Sequence, residues 1–174
     1  MGYEVMEHKG EMPAHNMNYS NINQGTVAVE SSRAIAEAQG KLIMAKRFPR
    51  SYMDSHAKAL EACRRKSFAE KAFFSYPRSG QTVTGVTIRF AEELARCYGN
   101  LDYGIKEMSH EEGKSEMQAY CWDLETNTIS SQNFAVKHIM DTKNGERKLT
   151  SQRDIYERTA NDGARRLRSR ILAI

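Results

Sequence analysis

Several protein classes are excluded by what this chain of 174 residues lacks. Its three cysteines, Cys63, Cys97 and Cys121, are odd in number and have no metal-ligand spacing. That pattern excludes a disulfide scaffold and points to reduced thiols in a cytosolic compartment. No apolar run approaches the ~18–20 residues of a membrane span, and the first residues lack a signal-peptide core, so the expectation is a cytoplasmic protein. The histidines His8, His15, His56, His110 and His138 are scattered, with no Cys/His or His/Glu pairing at ligand spacing. No Ser or Cys nucleophile with a matched base is visible, and Gly80, Gly85 and Gly99 do not spell a phosphate loop. Zinc chemistry, covalent hydrolysis and nucleotide hydrolysis are therefore poor readings. Internal repeats and low-complexity tracts are missing too.

What is present is positive charge, unevenly spread. The formal net charge is +4, with a sequence pI near 9.0. From Lys143 onward nine Lys/Arg stand against four Asp/Glu, so this last stretch alone carries +5 and outweighs the rest. Within it, Tyr156, Ala160, Gly163, Leu167, Ile171 and Ile174 recur at helical spacing, while Arg158, Arg165, Arg166, Arg168 and Arg170 lie beside or opposite. Such a helix seals a core with one face and offers guanidinium groups to a polyanion with the other. For Arg165 and Arg166, Asp162 is the local ion-pair partner if they serve solubility alone.

The length suits one domain with a respectable core. Residues 1–25 have no apolar period and read as a flexible arm, leaving 26–174 as a single α+β domain. Helices are expected at about 29–47, with Ile35, Ala38, Leu42 and Ala45 inward, and at 52–65, with Met53, Ala57, Leu60 and Cys63 inward. Ser67-Phe68-Ala69-Glu70 spells a capping box for a short third helix. Phe73 to Thr84 reads as a hairpin around Pro77-Arg78-Ser79-Gly80, and 86–98 as a helix closed by Gly99. Three strand-like runs follow, near 101–106, 116–124 and 129–140, then a basic loop at 141–152 and a last helix capped by Ser151-Gln152-Arg153-Asp154. The fold class is thus α+β: a helical N-terminal half, then a helix, a three-stranded antiparallel meander and a C-terminal helix.

Two features invite chemistry. Trp122-Asp123-Leu124-Glu125 ends a strand in Asp-x-Glu, the way a two-metal exonuclease opens its carboxylate site. That architecture needs further carboxylates downstream, and few residues follow; a strand end entering an Asn-containing turn is the simpler account. Basic residues around the third strand are the better candidates: Lys137 and His138 on its solvent side, then Lys143, Arg147 and Lys148 in the loop. Tyr103, Tyr120, Trp122 and Phe134 have the chemistry to stack bases, although aromatics at period-2 spacing more often pack a core or a strand face.

The stretch Asn161-Asp162-Gly163-Ala164-Arg165-Arg166-Leu167-Arg168-Ser169 resembles the helix that closes the annealing fold of the Rad-fifty-two superfamily. The helix at 86–98, leaving through Gly99-Asn100 into Leu101-Asp102-Tyr103, is similar to that family's helix before its first strand. The resemblance covers about residues 83 to 174, and the wider group includes the phage Erf, RecT and Red-beta annealing proteins. It implies a phage-type protein, in the cytoplasm of a bacterial host, that binds single-stranded DNA and anneals complements through a duplex intermediate. It further implies a homo-oligomer, ring or helical filament, with no ATP, metal or other cofactor and no catalytic side chain. A host single-strand-binding protein or a phage exonuclease are the further partners it suggests. Arg165 and Arg166 match the family's groove-lining pair, and Arg89 is the third residue it implies; Arg168, Lys137, Lys143, Arg147 and Lys148 complete the expected DNA contacts. Two alternatives stand beside it. A double-stranded RNA-binding module shares the element order, but opens its last helix with lysines rather than Asp154-Ile155-Tyr156-Glu157. A purely structural oligomer would bind no DNA.

Overall fold

The computed structural model describes residues 19–142 and 145–174, with side chains from residue 25 on. The chain divides into two units, residues 1–40 and 41–174. Of the arm expected at 1–25, residues 1–18 lie outside the described residues, and 19–25 are helical. They open α1 (Tyr19–Arg47), which begins ten residues earlier than the apolar pattern indicates. In the first unit Ile35, expected inward, is exposed, and Ala38 is half-buried.

The second unit begins with the end of α1, where Leu42 is half-buried and Ala45 fully so. After Pro49, α2 (Tyr52–Arg64) is capped by Ser51, whose hydroxyl accepts from the Asp54 amide. Its inner face is not the expected one. Ser55 and Ala62 are buried, whereas Met53 is 85% exposed and Leu60 is exposed. Small residues win here because they let the helix lie close to its neighbour: the Ser55 hydroxyl donates to the Tyr98 carbonyl at 3.2 Å. The short α3 (Lys66–Ala72) starts before Ser67, with Arg65 at its N-cap and no side-chain cap, so the capping-box spelling is not used.

The expected hairpin forms as β1 (Phe73–Arg78) and β2 (Gln81–Val86), closed by Ser79 and Gly80, both at positive φ as a two-residue hairpin turn requires. Thr87 then caps α4 (Ile88–Tyr98), accepting from the Phe90 amide, and Gly99 ends it at φ 79. The meander is β3 (Leu101–Glu111), β4 (Lys114–Asp123) and β5 (Thr128–Lys137), antiparallel in sheet order β3-β4-β5. The basic stretch expected as a loop is instead a second ribbon, β6 (Ile139–Thr142) with β7 (Gly145–Lys148), closed at Gly145 in the left-handed region. The hydroxyl of Thr142 donates to the Gly145 carbonyl across that turn at 2.7 Å. Last comes α5 (Gln152–Ile171); Ser151 is its N-cap but makes no side-chain cap bond.

Period-2 alternation in β4 sends Ser115, Met117, Ala119, Cys121 and Asp123 to one face, all buried, and the intervening residues to the other. The buried face meets α4 and α5 in a core of Ala91, Ala95, Met117, Ala119, Cys121, Phe134, Val136, Leu167 and Ile171. On α5 the inward residues are Ile155, Thr159, Gly163, Leu167 and Ile171, a strict i, i+4 row. Tyr156, expected on that row, is 72% exposed. Gly163 is where helix and sheet touch: a Cβ there would lie 2.6 Å from Cγ2 of Ile105. The glycine of the Asp-Gly step thus serves close packing, and a methyl group would cost about 1–3 kcal/mol of overpacking. Among the described residues no helix is long and apolar enough to cross a membrane.

Candidate nucleic-acid interface

With the i, i+4 row of α5 pinned on the sheet, the positions of its arginines follow from 100° per residue. Arg165, two residues past Gly163, points away from the core, and its side chain is 70% exposed. Arg166 leans to one flank, where its guanidinium lies 4.2 Å from the centroid of the Phe134 ring. Its Nη1 also donates to the Asp162 carbonyl at 3.2 Å. Arg168 leans to the other flank and donates to the Val86 carbonyl at 2.9 Å, with Phe74 beneath it. The three expected DNA contacts of this helix therefore differ in availability. Arg165 is open, while Arg166 and Arg168 each spend part of their bonding inside the protein.

Two clefts flank Arg165, and its side chain lines both. One, of about 500 Å³, lies against the β1–β2 hairpin and presents Phe74, Tyr76 and Arg168. The rings of Phe74 and Tyr76 stack at 5.8 Å, forming an aromatic wall beside the two guanidinium groups. The other cleft, of about 480 Å³, lies against the β6–β7 ribbon and presents Met140, Leu149, Arg158 and Asn161 together with the carboxylates of Asp154, Glu157 and Asp162. Arg147 pairs with Met140 across that ribbon, so the two side chains share one ribbon face, and Met140 lines the cleft. In the first cleft, two cations beside an aromatic wall are an arrangement suited to a phosphate backbone with unpaired bases.

Asp162 organises the middle of this surface. Its carboxylate pairs with Arg158 at 3.3 Å and Arg165 at 3.4 Å. The ion pair expected of Arg165 and Arg166 forms for Arg165 alone; Arg158 takes the other place, and Arg166 reaches only the Asp162 carbonyl.

The other expected contacts are not gathered here. Arg89 is exposed in a separate hollow with Arg65, Lys71 and Arg96, where Glu93 pairs with both Arg65 and Arg96. Lys137 sits opposite Lys114 on the sheet face turned away from the helices. Lys148 is exposed on β7, opposite Ile139, and Lys143 lies outside the described residues. His138, expected in solvent, is buried: Ser115 bonds its Nε2 at 2.8 Å, and burial followed by the neighbouring His110 lowers its pKa. Sequence reasoning missed Phe74 and Tyr76, whose hairpin was visible but whose proximity to α5 was not.

Asp123 and Glu125, the carboxylates of the nuclease reading, are committed elsewhere. Arg50 inserts between them with its side chain 2% exposed, its Nη2 on Asp123 and its Nε on Glu125 at 2.8 Å. The guanidinium also lies 4.0 Å from the centroid of the Tyr98 ring, and Asn100 donates to Glu125 at 2.6 Å. Burial pushes the Asp123 pKa up, but the bonds from Arg50 and the Glu125 amide outweigh it and hold the acid below its ordinary value. For Glu125 burial is likewise outweighed, by Asn100 and Arg50. A site meant for Mg²⁺ needs carboxylates that are not already neutralised by an arginine. Among the described residues no three His, Cys, Asp or Glu side chains converge as a metal site. Arg50 follows a proline in a linker, and nothing in its sequence context marks it as the partner of residues more than seventy positions away.

Compared with family models, curated proteins and solved structures, the chain matches none.

Proposed function

We propose that this protein binds single-stranded DNA and anneals complementary strands, without ATP, as a homo-oligomer. One observation carries the reading: a helix packed on a three-stranded meander turns Arg165 outward between two clefts, one walled by Phe74 and Tyr76 beside Arg168 and one lined by Arg158 and Met140, the ribbon partner of Arg147. Cationic side chains that neutralise phosphates reduce strand–strand repulsion, and rings beside them hold bases in the open, which is what pairing with a second strand needs. No proton transfer or bond cleavage is involved, so no catalytic residue is assigned. Self-association is supported by apolar surface on α2, where Tyr52, Met53 and Leu60 are all exposed. Membership in the annealing superfamily, a phage origin and accessory protein partners belong to the same proposal and rest on the resemblance of residues 83–174.

The test uses Arg147→Glu combined with Arg165→Glu, two exposed positions whose reversal leaves the core alone. Binding of a labelled oligonucleotide should weaken by about 100-fold at low salt, and the salt dependence should flatten by roughly two charges. Annealing of complements without ATP should fall in step. Unchanged annealing by a folded double variant would refute the assignment.

A further inference from the structure

The sheet has a second face, and its composition is unlike the first. Opposite the core, β4 presents Lys114, Glu116, Gln118, Tyr120 and Trp122, flanked by Asp102, Gly104, Lys106, Ser109 and Glu111 on β3 and by Ile129, Ser131, Asn133, Ala135 and Lys137 on β5. The helices α4 and α5 pack on the other side, through the core residues already named. Tyr120 and Trp122 are two apart on the central strand, which separates them by roughly 6–7 Å on the same face. Tyr120 leans over Gly104, where a Cβ would be 3.4 Å from its ring, and Lys106 Nζ lies 4.5 Å from the ring centroid. Trp122 is fixed by its indole N–H, which donates to Asn127 at 3.0 Å.

Charge completes the pattern. The three carboxylates on this face are already paired, Asp102 with Lys41 at 3.1 Å, and Glu111 and Glu116 with the shared Lys114 at 3.3 and 3.4 Å. Lys106 and Lys137 have no carboxylate partner among the described residues, so the face has cations to spare. Beside the rings Ser131 offers an exposed hydroxyl, Asn133 keeps its amide N–H groups while its oxygen accepts from Gln118 at 3.0 Å, and Ile129, 60% exposed, extends the apolar strip from Trp122. Two aromatic rings at strand spacing on an open sheet, with lysines beside them, suit stacked bases and their phosphates. They suit an acidic protein surface less well, since such a surface needs no aromatic pair.

We propose that this face is a second nucleic-acid site, a platform on which Tyr120 and Trp122 stack unpaired bases while Lys106 and Lys137 meet the backbone. It shares only its ligand class with the clefts around α5, from which the sheet separates it. Two sites on one subunit would let each strand be held separately before pairing.

Trp122 is the only tryptophan in the chain, so its emission reports this face directly. The full chain is titrated with a fluorescein-labelled oligothymidylate, reading anisotropy, and with an unlabelled one, reading tryptophan emission. The expected result is quenching of Trp122 that saturates with binding, and a loss of affinity on the order of ten-fold in Tyr120→Ala. Lys106→Glu should weaken binding without removing the residual quench, which covers the event that Tyr120→Ala fails to fold. Binding by anisotropy with unchanged tryptophan emission overturns the platform and leaves the clefts standing. No binding by either readout sinks both proposals. Emission that shifts to the blue with protein concentration, before any oligonucleotide is added, means a second copy covers the face and overturns the platform too.

Discussion

Two charged clusters, one at the end of the sheet's central strand and one on the helix packed against that sheet, have opposite fates. Around Asp123 and Glu125 the charges face inward, and Arg50 is almost completely enclosed between them. Around Arg165 the charges face outward; of the three carboxylates lining the adjoining cleft, Asp154, Glu157 and Asp162, it is Asp162 that pairs with Arg165, and it is shared with Arg158. In sequence both clusters resemble a working site. The difference lies in whether an opposite charge arrives from a distant part of the chain to close the site. Where it does, charge becomes architecture; where it does not, charge is left for a ligand.

The sharpest way to break this contrast is Arg50→Ala. Removing one partner strands two carboxylates in a partly buried position, at a cost of about 3–5 kcal/mol. Thermal or urea unfolding should show that loss, while oligonucleotide affinity of the remaining folded protein stays within about two-fold because Arg50 does not reach the clefts. Equal losses of stability for Arg50→Ala and Arg165→Ala would erase the distinction.

Acid provides a second, smaller separation. Asp123 and Glu125 are held below the ordinary carboxylate range in the folded protein, so the unfolded chain takes up protons first as pH falls. Their contribution is fully present above about pH 5 and is lost as pH drops through the folded-state values. Urea midpoints recorded downward from neutral pH should fall in that acid window, and Arg50→Ala should flatten the fall. A pH profile unaffected by the substitution would mean that Arg50 does not set these acids.

The smallest expected effect concerns Asp162→Asn. With the carboxylate gone, Arg158 and Arg165 lose their internal counter-charge, and the surface around them gains one positive unit. Single-stranded DNA should bind a few-fold tighter, with a steeper salt dependence, and stability should move by less than about 1 kcal/mol. Weaker binding instead would identify Asp162 as the residue that aims Arg165 at the phosphates.

Much of the fold could be read from local pattern. The β1–β2 turn, the Gly99 stop and the meander each rest on chemistry contained in a few neighbouring residues. The errors came where packing overrode pattern. On α2 the larger apolar residues were expected inside, yet Ser55 and Ala62 are there because close approach to α4 needs small side chains. On α5 the inward row begins at Ile155 instead of Tyr156, and a one-residue shift turns a helix by 100°. For the candidate site, Arg165 was legible as a solvent-facing cation. The aromatic wall beside it was not, since Phe74 and Tyr76 are some ninety residues away along the chain.

Local sequence determined the order of helices and strands, the turns, and the concentration of arginine in the last helix, because each depends on interactions within a few residues. Tertiary structure alone decided which charges are free. Arg50 reaches the Asp-x-Glu pair, Arg166 covers Phe134 and Arg168 bonds the end of the β1–β2 hairpin, so each is partly or wholly occupied. Electrostatic pairing acts over distances in space, and folding sets those distances with little regard to position along the chain.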